Sequence, residues 1–235
     1  LDVFPNLRNQ STWDLAGLYR TYTEKWLKIE SNKPDSLLTW PDKEYIIQKL
    51  AWQLFGRQVA SGNISIPLNE EAALSRKELR DFLAELRQDD YPDFPLNALL
   101  DDISLRTFLV ARRGNLIYFI HKSFQEYYAA KNIVDNIIQN VKTSAEVLSA
   151  IIPVEVATFV KEIVRSSQFP AINRIRATRN LIELYNQNQS SSLEDRIRRQ
   201  LSGHLLCYLH TPDAIRFVEN AYKREADKWV QRGMM

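Results

Sequence analysis

From about residue 143 to residue 235, apolar side chains return every three or four positions and no strand-like alternation interrupts them. Such spacing places the apolar residues on one side of a helix, so this part of the chain has to bury helical stripes against one another. VEVATFVKEIVRSS, INRIRATRNLIELYNQ, LEDRIRRQLSGHLLCYLH and PDAIRFVENAYKREADKWV each carry one stripe between charged flanks. The breaks fall at QFP, NQNQSSS and HTPD, and Thr211-Pro212 reads as a cap followed by a first-turn proline. Helices of similar length, stacked as an α-solenoid, are expected, without a clean sequence repeat.

The first 140 residues are more varied. TWDLAGLYRTYTEKWLKIE (12–30) sets Trp13, Leu15, Leu18, Tyr19, Tyr22, Trp26, Leu27 and Ile29 largely on one broad helical face. A second amphipathic helix is expected over 43–59, and NISIP (63–67) reads as a short edge strand ended by Pro67. Ser75-Arg-Lys-Glu78 is a capping box, opening a helix that should bury Leu79, Phe82, Leu83 and Leu86. Pro95 suits the first turn of a short helix, LNALLDDIS. TFLVARRGNLIYFI is a hairpin signal, two apolar runs joined through Arg113-Gly114-Asn115. A second capping box, Ser123-Phe-Gln-Glu126, should launch a helix running to about Asn140. Helix, strand, helix, helix, hairpin is the order of a winged helix.

Composition excludes several classes. Thirty-one basic and 29 acidic residues leave a net charge of +2, so no global field directs the chain to nucleic acid or to a membrane. Six glycines in 235 residues favour helix over tight strand turns. Cys207 is the sole cysteine, which rules out an intrachain disulfide and fits a reducing, cytoplasmic compartment. The longest apolar runs are too short to span a bilayer. The chain opens on Leu1 and closes on ADKWVQRGMM, a helical pattern with no stop signal, so an internal piece of a longer polypeptide is expected.

His121 stands where the second hairpin strand gives way to a helix. Position alone leaves two readings: a partly buried ring bonded to a nearby carbonyl, or a ring beside unpaired helix N–H groups that meets an anion. The surrounding stretch, FIHKSFQEYYAA, resembles the closing motif F-x-H-x-S-F-Q-E-[YF]-x-A of NACHT-family nucleotide-switch ATPases, members of the STAND class. Phe119, His121, Ser123, Phe124, Gln125, Glu126, Tyr127 and Ala129 match it. LAGLYRTYTEKWL resembles a helix of that family's first helical domain, and KEYIIQKLAWQLF resembles the start of its winged-helix domain. The resemblance covers about 12–135, and 141–235 is similar to the helical segments, some of them HEAT-like, that follow.

The resemblance implies a mainly α fold in three parts: 1–42 as the end of the first helical domain, 43–140 as a winged-helix domain with a small β-hairpin, and 141–235 as a helical sensor. It implies that His121 touches the β-phosphate of bound ADP and holds a closed resting state. ADP and ATP would be gripped mainly by an upstream domain, since no GxxxxGK[ST] loop can be drawn through this chain's glycines. The implied function is the regulatory portion of a signalling ATPase in immune or antiphage defence. It would not be an enzyme by itself. Its implied partners are its own nucleotide-binding domain, other copies on activation, and an unknown trigger. The alternatives are a HEAT-like protein-interaction scaffold and a winged-helix DNA-binding module.

Other constellations have plainer readings. Arg112 and Arg113 at the hairpin tip suit DNA phosphates, but Asp101 and Asp102, expected on the surface of the third helix, would repel them. His204, Cys207 and His210 approach metal spacing, yet their leucine neighbours indicate core packing and no metal site is assigned. Asp89-Asp90 and Asp101-Asp102 read as turn and helix-surface residues rather than catalytic pairs. Arg174, Arg176, Arg179, Arg196, Arg198 and Arg199 read as exposed flanks of amphipathic helices, or else as the lining of a ligand groove.

Overall fold

The computed structural model describes residues 14–60, 73–91, 93–112, 116–149 and 152–235. The expected NISIP strand, Trp13 and the Arg113-Gly114-Asn115 turn lie outside them, as does the side chain of Arg112. Among the described residues the chain is mainly helical, with one small antiparallel sheet. It divides into two compact units, Leu1–Ala129 and Ala130–Met235. No helix among the described residues is long and apolar enough to cross a membrane.

In the first unit, Asp14 caps α1 (Leu15–Ser31) by accepting the Gly17 N–H, and α2 (Trp40–Ala60) packs against it. The apolar stripe of α1 is only partly used: Leu27 is buried, while Leu15, Trp26 and Ile29 stay exposed. The two-residue strand β1 (Leu74–Ser75) precedes α3 (Arg76–Asp90). The Ser75 capping box forms as expected: Ser75 Oγ accepts the Glu78 N–H at 3.1 Å and Glu78 accepts the Ser75 N–H at 2.7 Å. Donation from the Ser75 N–H and the Ser75 hydroxyl holds the Glu78 carboxyl below its ordinary pKa. Leu79 and Leu83 are buried, but Phe82 and Leu86 are only half-buried, because the covered stripe of α3 is narrower than its apolar face.

Pro95 caps α4 (Leu96–Arg106) from outside rather than sitting in its first turn. Strands β2 (Leu109–Arg112) and β3 (Leu116–Phe119) pair as expected, and β1 adds on the far side of β3 to give the order β1-β3-β2. Register places Leu74 opposite Ile117 and Leu109 opposite Phe119. Beyond the ladder, the Ile120 N–H donates to Phe108 O at 2.7 Å. This bond fixes the path of the chain into α5 (Lys122–Gln139).

Asp102 departs from the surface role expected of it. Its carboxylate is buried and lies 3.0 Å from the ammonium of Lys43, whose side chain is completely buried. Asp102 also accepts the Leu38 N–H at 3.0 Å and lies 3.2 Å from Arg106 Nε. Lys43 donates to Ser36 Oγ at 2.7 Å. A buried carboxylate is stable only when its lone pairs are filled in this way. Its neighbour Asp101 is exposed and pairs with Arg76, as a surface residue does.

The second unit holds α6 (Val141–Val147), α7 (Val154–Arg165), α8 (Ala171–Gln187), α9 (Leu193–Leu209), α10 (Pro212–Arg224) and α11 (Lys228–Arg232). Helix α9 packs against α7, α8, α10 and α11, burying Leu205, Leu206 and Leu209. The stretch expected as one helix from Pro212 to Val230 is broken. Asp227 accepts the Trp229 N–H at 2.8 Å and pairs with Arg196 at 2.6 Å, and these contacts start a new helix. The expected cap at Thr211 forms, with Thr211 Oγ1 accepting the Ala214 N–H at 3.1 Å and Pro212 in the first turn.

His210 ends α9 in the left-handed region, at φ 52°. A β-carbon there costs on the order of 1 kcal/mol that glycine does not incur. His210→Gly is therefore expected to stabilise the chain by about 0.5–1 kcal/mol, after subtracting the greater unfolded-state freedom of glycine. A urea midpoint below that of the parent would contradict this conformation.

Candidate functional site

The junction between β3 and α5 rests on an aromatic cluster. Phe108 stacks on Phe124 with centroids 4.7 Å apart, and Tyr19 meets Phe124 edge-on at 5.1 Å. Tyr22, 5.8 Å from Phe124, closes the cluster from α1. Below it Tyr127 and Tyr128 are buried, and burial pushes the Tyr128 hydroxyl well above its ordinary pKa. The spacing of Phe124, Tyr127 and Tyr128 along α5 turns all these rings to one side. The cluster thus anchors the first turn of the helix while leaving residues 120 and 121 exposed.

His121 is the residue immediately before α5, and its imidazole caps the helix. Nδ1 accepts the Ser123 N–H at 3.2 Å and contacts Ser123 Oγ. An accepting Nδ1 carries no proton, so in the neutral ring the proton sits on Nε2. Among the described residues Nε2 has no hydrogen-bond partner, and the residue is exposed. The ring therefore presents a single N–H donor outward, beside the positive end of an 18-residue helix. Of the two readings left open by sequence position, the buried ring bonded to a carbonyl does not describe this histidine.

Ser123 is not the cap expected of it. It lies inside the first turn of α5, and its Oγ faces both His121 and the hydroxyl of Tyr19. Glu126 does not reach back to the backbone of Ser123 as a capping box requires. It pairs instead with Lys122 at 3.1 Å. With Nδ1 as the acceptor, donation runs from Tyr19 O–H to Ser123 Oγ and from Ser123 O–H to His121. Tyr19 was legible only as part of the apolar stripe of α1. Nothing in its spacing announced a hydrogen bond to a residue more than a hundred positions away.

The remaining candidates separate. His204 Nδ1 lies 3.2 Å from Gly233 O and its Nε2 2.8 Å from the Tyr208 hydroxyl, while burial lowers the pKa of the ring. The Cys207 thiol points back to Gly203 O at 3.3 Å, and burial raises its pKa. His210 is exposed at the end of the helix. No group of three His, Cys, Asp or Glu among the described residues is arranged to hold a metal ion. The arginines also part company. Arg199 is buried, donates to Asn188 O and Ser190 O, and lies 3.3 Å from Glu225, so it is not the exposed flank expected. Arg176 and Arg179 are exposed.

Fold and site together define a mainly helical protein with a small antiparallel sheet that offers an outward histidine at a strand–helix junction. No protein-family model, no curated protein and no solved structure matches the chain.

Proposed function

We propose that this chain is the regulatory portion of a NACHT-type STAND signalling ATPase, in which His121 reads the β-phosphate of bound ADP and holds a closed resting state. The observation that carries this reading is the exposed His121 imidazole, whose Nδ1 accepts the Ser123 N–H while Nε2 has no partner among the described residues, set within the motif residues Phe119, Ser123, Phe124, Gln125, Glu126, Tyr127 and Ala129. A lone imidazole N–H beside a helix N-terminus is chemically suited to a phosphate oxygen. The element order from α2 through β1, α3, α4, β2 and β3, with β3 central in the sheet, supports a winged helix. The helices from α6 onward would then be the HEAT-like sensor region.

In this scheme ADP binds the closed arrangement better than the open one, and exchange for ATP shifts the population toward opening and self-association. Phosphate-binding loops and catalysis belong to an upstream nucleotide domain, with the whole protein in the cytoplasm. A charge-assisted hydrogen bond contributes about 1.5–3 kcal/mol. His121→Ala in a longer protein carrying the nucleotide domain is therefore expected to speed ADP dissociation by roughly 10–150-fold. It should also raise resting signalling. Unchanged ADP release together with unchanged basal output removes His121 from the switch.

A second reading, a protein-interaction scaffold without a nucleotide role, is favoured by one feature of the second unit. This is the open groove along α8 and α10, lined by Ile175, Ile182 and Phe217.

A further inference from the structure

Helices α8 and α10 line an open groove of about 1610 Å³ in the second unit. Pockets for small ligands occupy roughly 300–1,000 Å³, so this space suits a polypeptide segment better than a metabolite. Along α8, Ile175 and Ile182 face the groove, and Phe217 faces it from α10. Ile175 is 51% exposed, an apolar surface that water covers poorly. Arg179 stands on the α8 side, and Arg216 and Arg224, two helical turns apart, stand on the α10 side. All three guanidinium groups are on exposed residues, and none of them has an ion-pair partner among the described residues.

The carboxylates of the groove are differently placed. Glu225 is engaged by Tyr185 at 2.5 Å and by Arg199 at 3.3 Å, so its charge is already balanced. Glu183 accepts from Gln187 at 3.0 Å, and Asp213 lies in the first turn of α10, where the helix dipole favours it. What remains is an apolar floor, three arginines without ion-pair partners among the described residues, and the charges of Glu183 and Asp213, which an amide and a helix dipole do not cancel. Glu183 and Asp213 would repel a phosphodiester backbone, whose charge recurs at every nucleotide, whereas a peptide can carry carboxylates opposite the arginines alone.

We propose that the α8–α10 groove is a docking site for an acidic amphipathic helix of a partner protein, its apolar stripe on Ile175, Ile182 and Phe217 and its carboxylates on Arg179, Arg216 and Arg224. Helix α8 has 17 residues, which at 1.5 Å per residue gives a seat of about 25 Å. The partner helix would span between about four and five turns. This assignment stands on the second unit alone and does not depend on His121 or on any nucleotide.

The test uses the 235-residue chain and a panel of labelled 14-residue peptides. Each carries Leu or Phe at i, i+3, i+4 and i+7 with Glu on both flanks, the stripe being shifted by one residue between panel members. Fluorescence anisotropy is expected to show saturable binding of at least one member, weakened tenfold or more when its Glu residues are replaced by Gln. Arg216→Glu with Arg224→Glu should abolish that binding, and Ile175→Ser should weaken it several-fold. All three positions are exposed, so far-UV circular dichroism and the thermal midpoint should stay those of the parent. Failure of every acidic peptide to bind at millimolar concentration overturns the proposal. So does equal binding of the Gln peptides. Preferential binding of a labelled 20-nucleotide single strand or duplex would assign the groove to nucleic acid instead.

Discussion

Asp102→Ala is expected to remove about 3–5 kcal/mol of stability, because it strands the Lys43 ammonium in the interior without its counter-charge. The Lys43 side chain is completely buried and that of Asp102 is 2% exposed, so water cannot replace the lost partner. Burial already draws the Lys43 pKa below 10.5 against the opposing pull of Asp102, and without the carboxylate nothing comparable resists it. The same substitution frees the Leu38 N–H and leaves Arg106 with Asp35 as its remaining carboxylate. Asp102 sits on α4, Lys43 on α2 and Leu38 in the connection that follows α1, so the loss should loosen three segments together.

Urea denaturation followed by tryptophan fluorescence measures the effect, with Trp26, Trp40 and Trp52 reporting from α1 and α2. The double variant Lys43→Met, Asp102→Leu should recover most of the loss, since apolar pairs of similar volume commonly replace buried ion pairs at little cost. A loss below about 1 kcal/mol for Asp102→Ala would mean that the pair behaves as a solvated surface contact.

Phe108→Ala should rank beside it, costing about 3–5 kcal/mol as a large ring removed from a packed core. Phe108 is 3% exposed and touches rings from α1 and α5 at once: Trp26 at 6.3 Å, Phe124 at 4.7 Å and Tyr128 at 5.8 Å. Its carbonyl also receives the Ile120 N–H, one residue before His121. The substitution therefore has a second readout. The nitrogen chemical shifts of the His121 ring, which report which nitrogen is protonated, should lose their preference for the Nε2–H form as the first turn of α5 loosens. Phe108→Leu keeps most of the volume and should cost less than about 1.5 kcal/mol, leaving that preference in place. A destabilised Phe108→Ala protein with an unchanged imidazole signature would show that the cluster supports the fold without orienting the histidine.

Much of the helical plan was legible because it rests on local chemistry. The stripes over 154–165, 171–187 and 193–209 fold as helices close to the expected bounds, since each has an apolar period and a turn on either side. The boxes at Ser75 and Ser123 show where such reading stops. Both have the same spacing, but only Ser75 caps, because His121 takes the capping position two residues before Ser123 and Tyr19 draws the Ser123 hydroxyl aside. The break between α10 and α11 was hidden for a similar reason. The amphipathic pattern runs through 225–227 without a glycine or proline, and the interruption is stabilised by Arg196 on another helix.

Periodicity, turn residues and capping signals determined that this protein is mainly helical, where most helices begin and end, and that a histidine stands between a strand and a helix. These are decided within a turn or two of chain, where neighbouring residues meet whatever the rest does. Only the tertiary structure decided that Asp102 goes inside while Asp101 stays out, that Arg199 is buried, and that the imidazole of His121 turns its free N–H outward. Each of those outcomes depends on a partner brought from a distant position, Lys43 for Asp102, Glu225 for Arg199 and Tyr19 for the serine that holds His121. The cost of burying a charge or a polar hydrogen is settled only when that partner arrives.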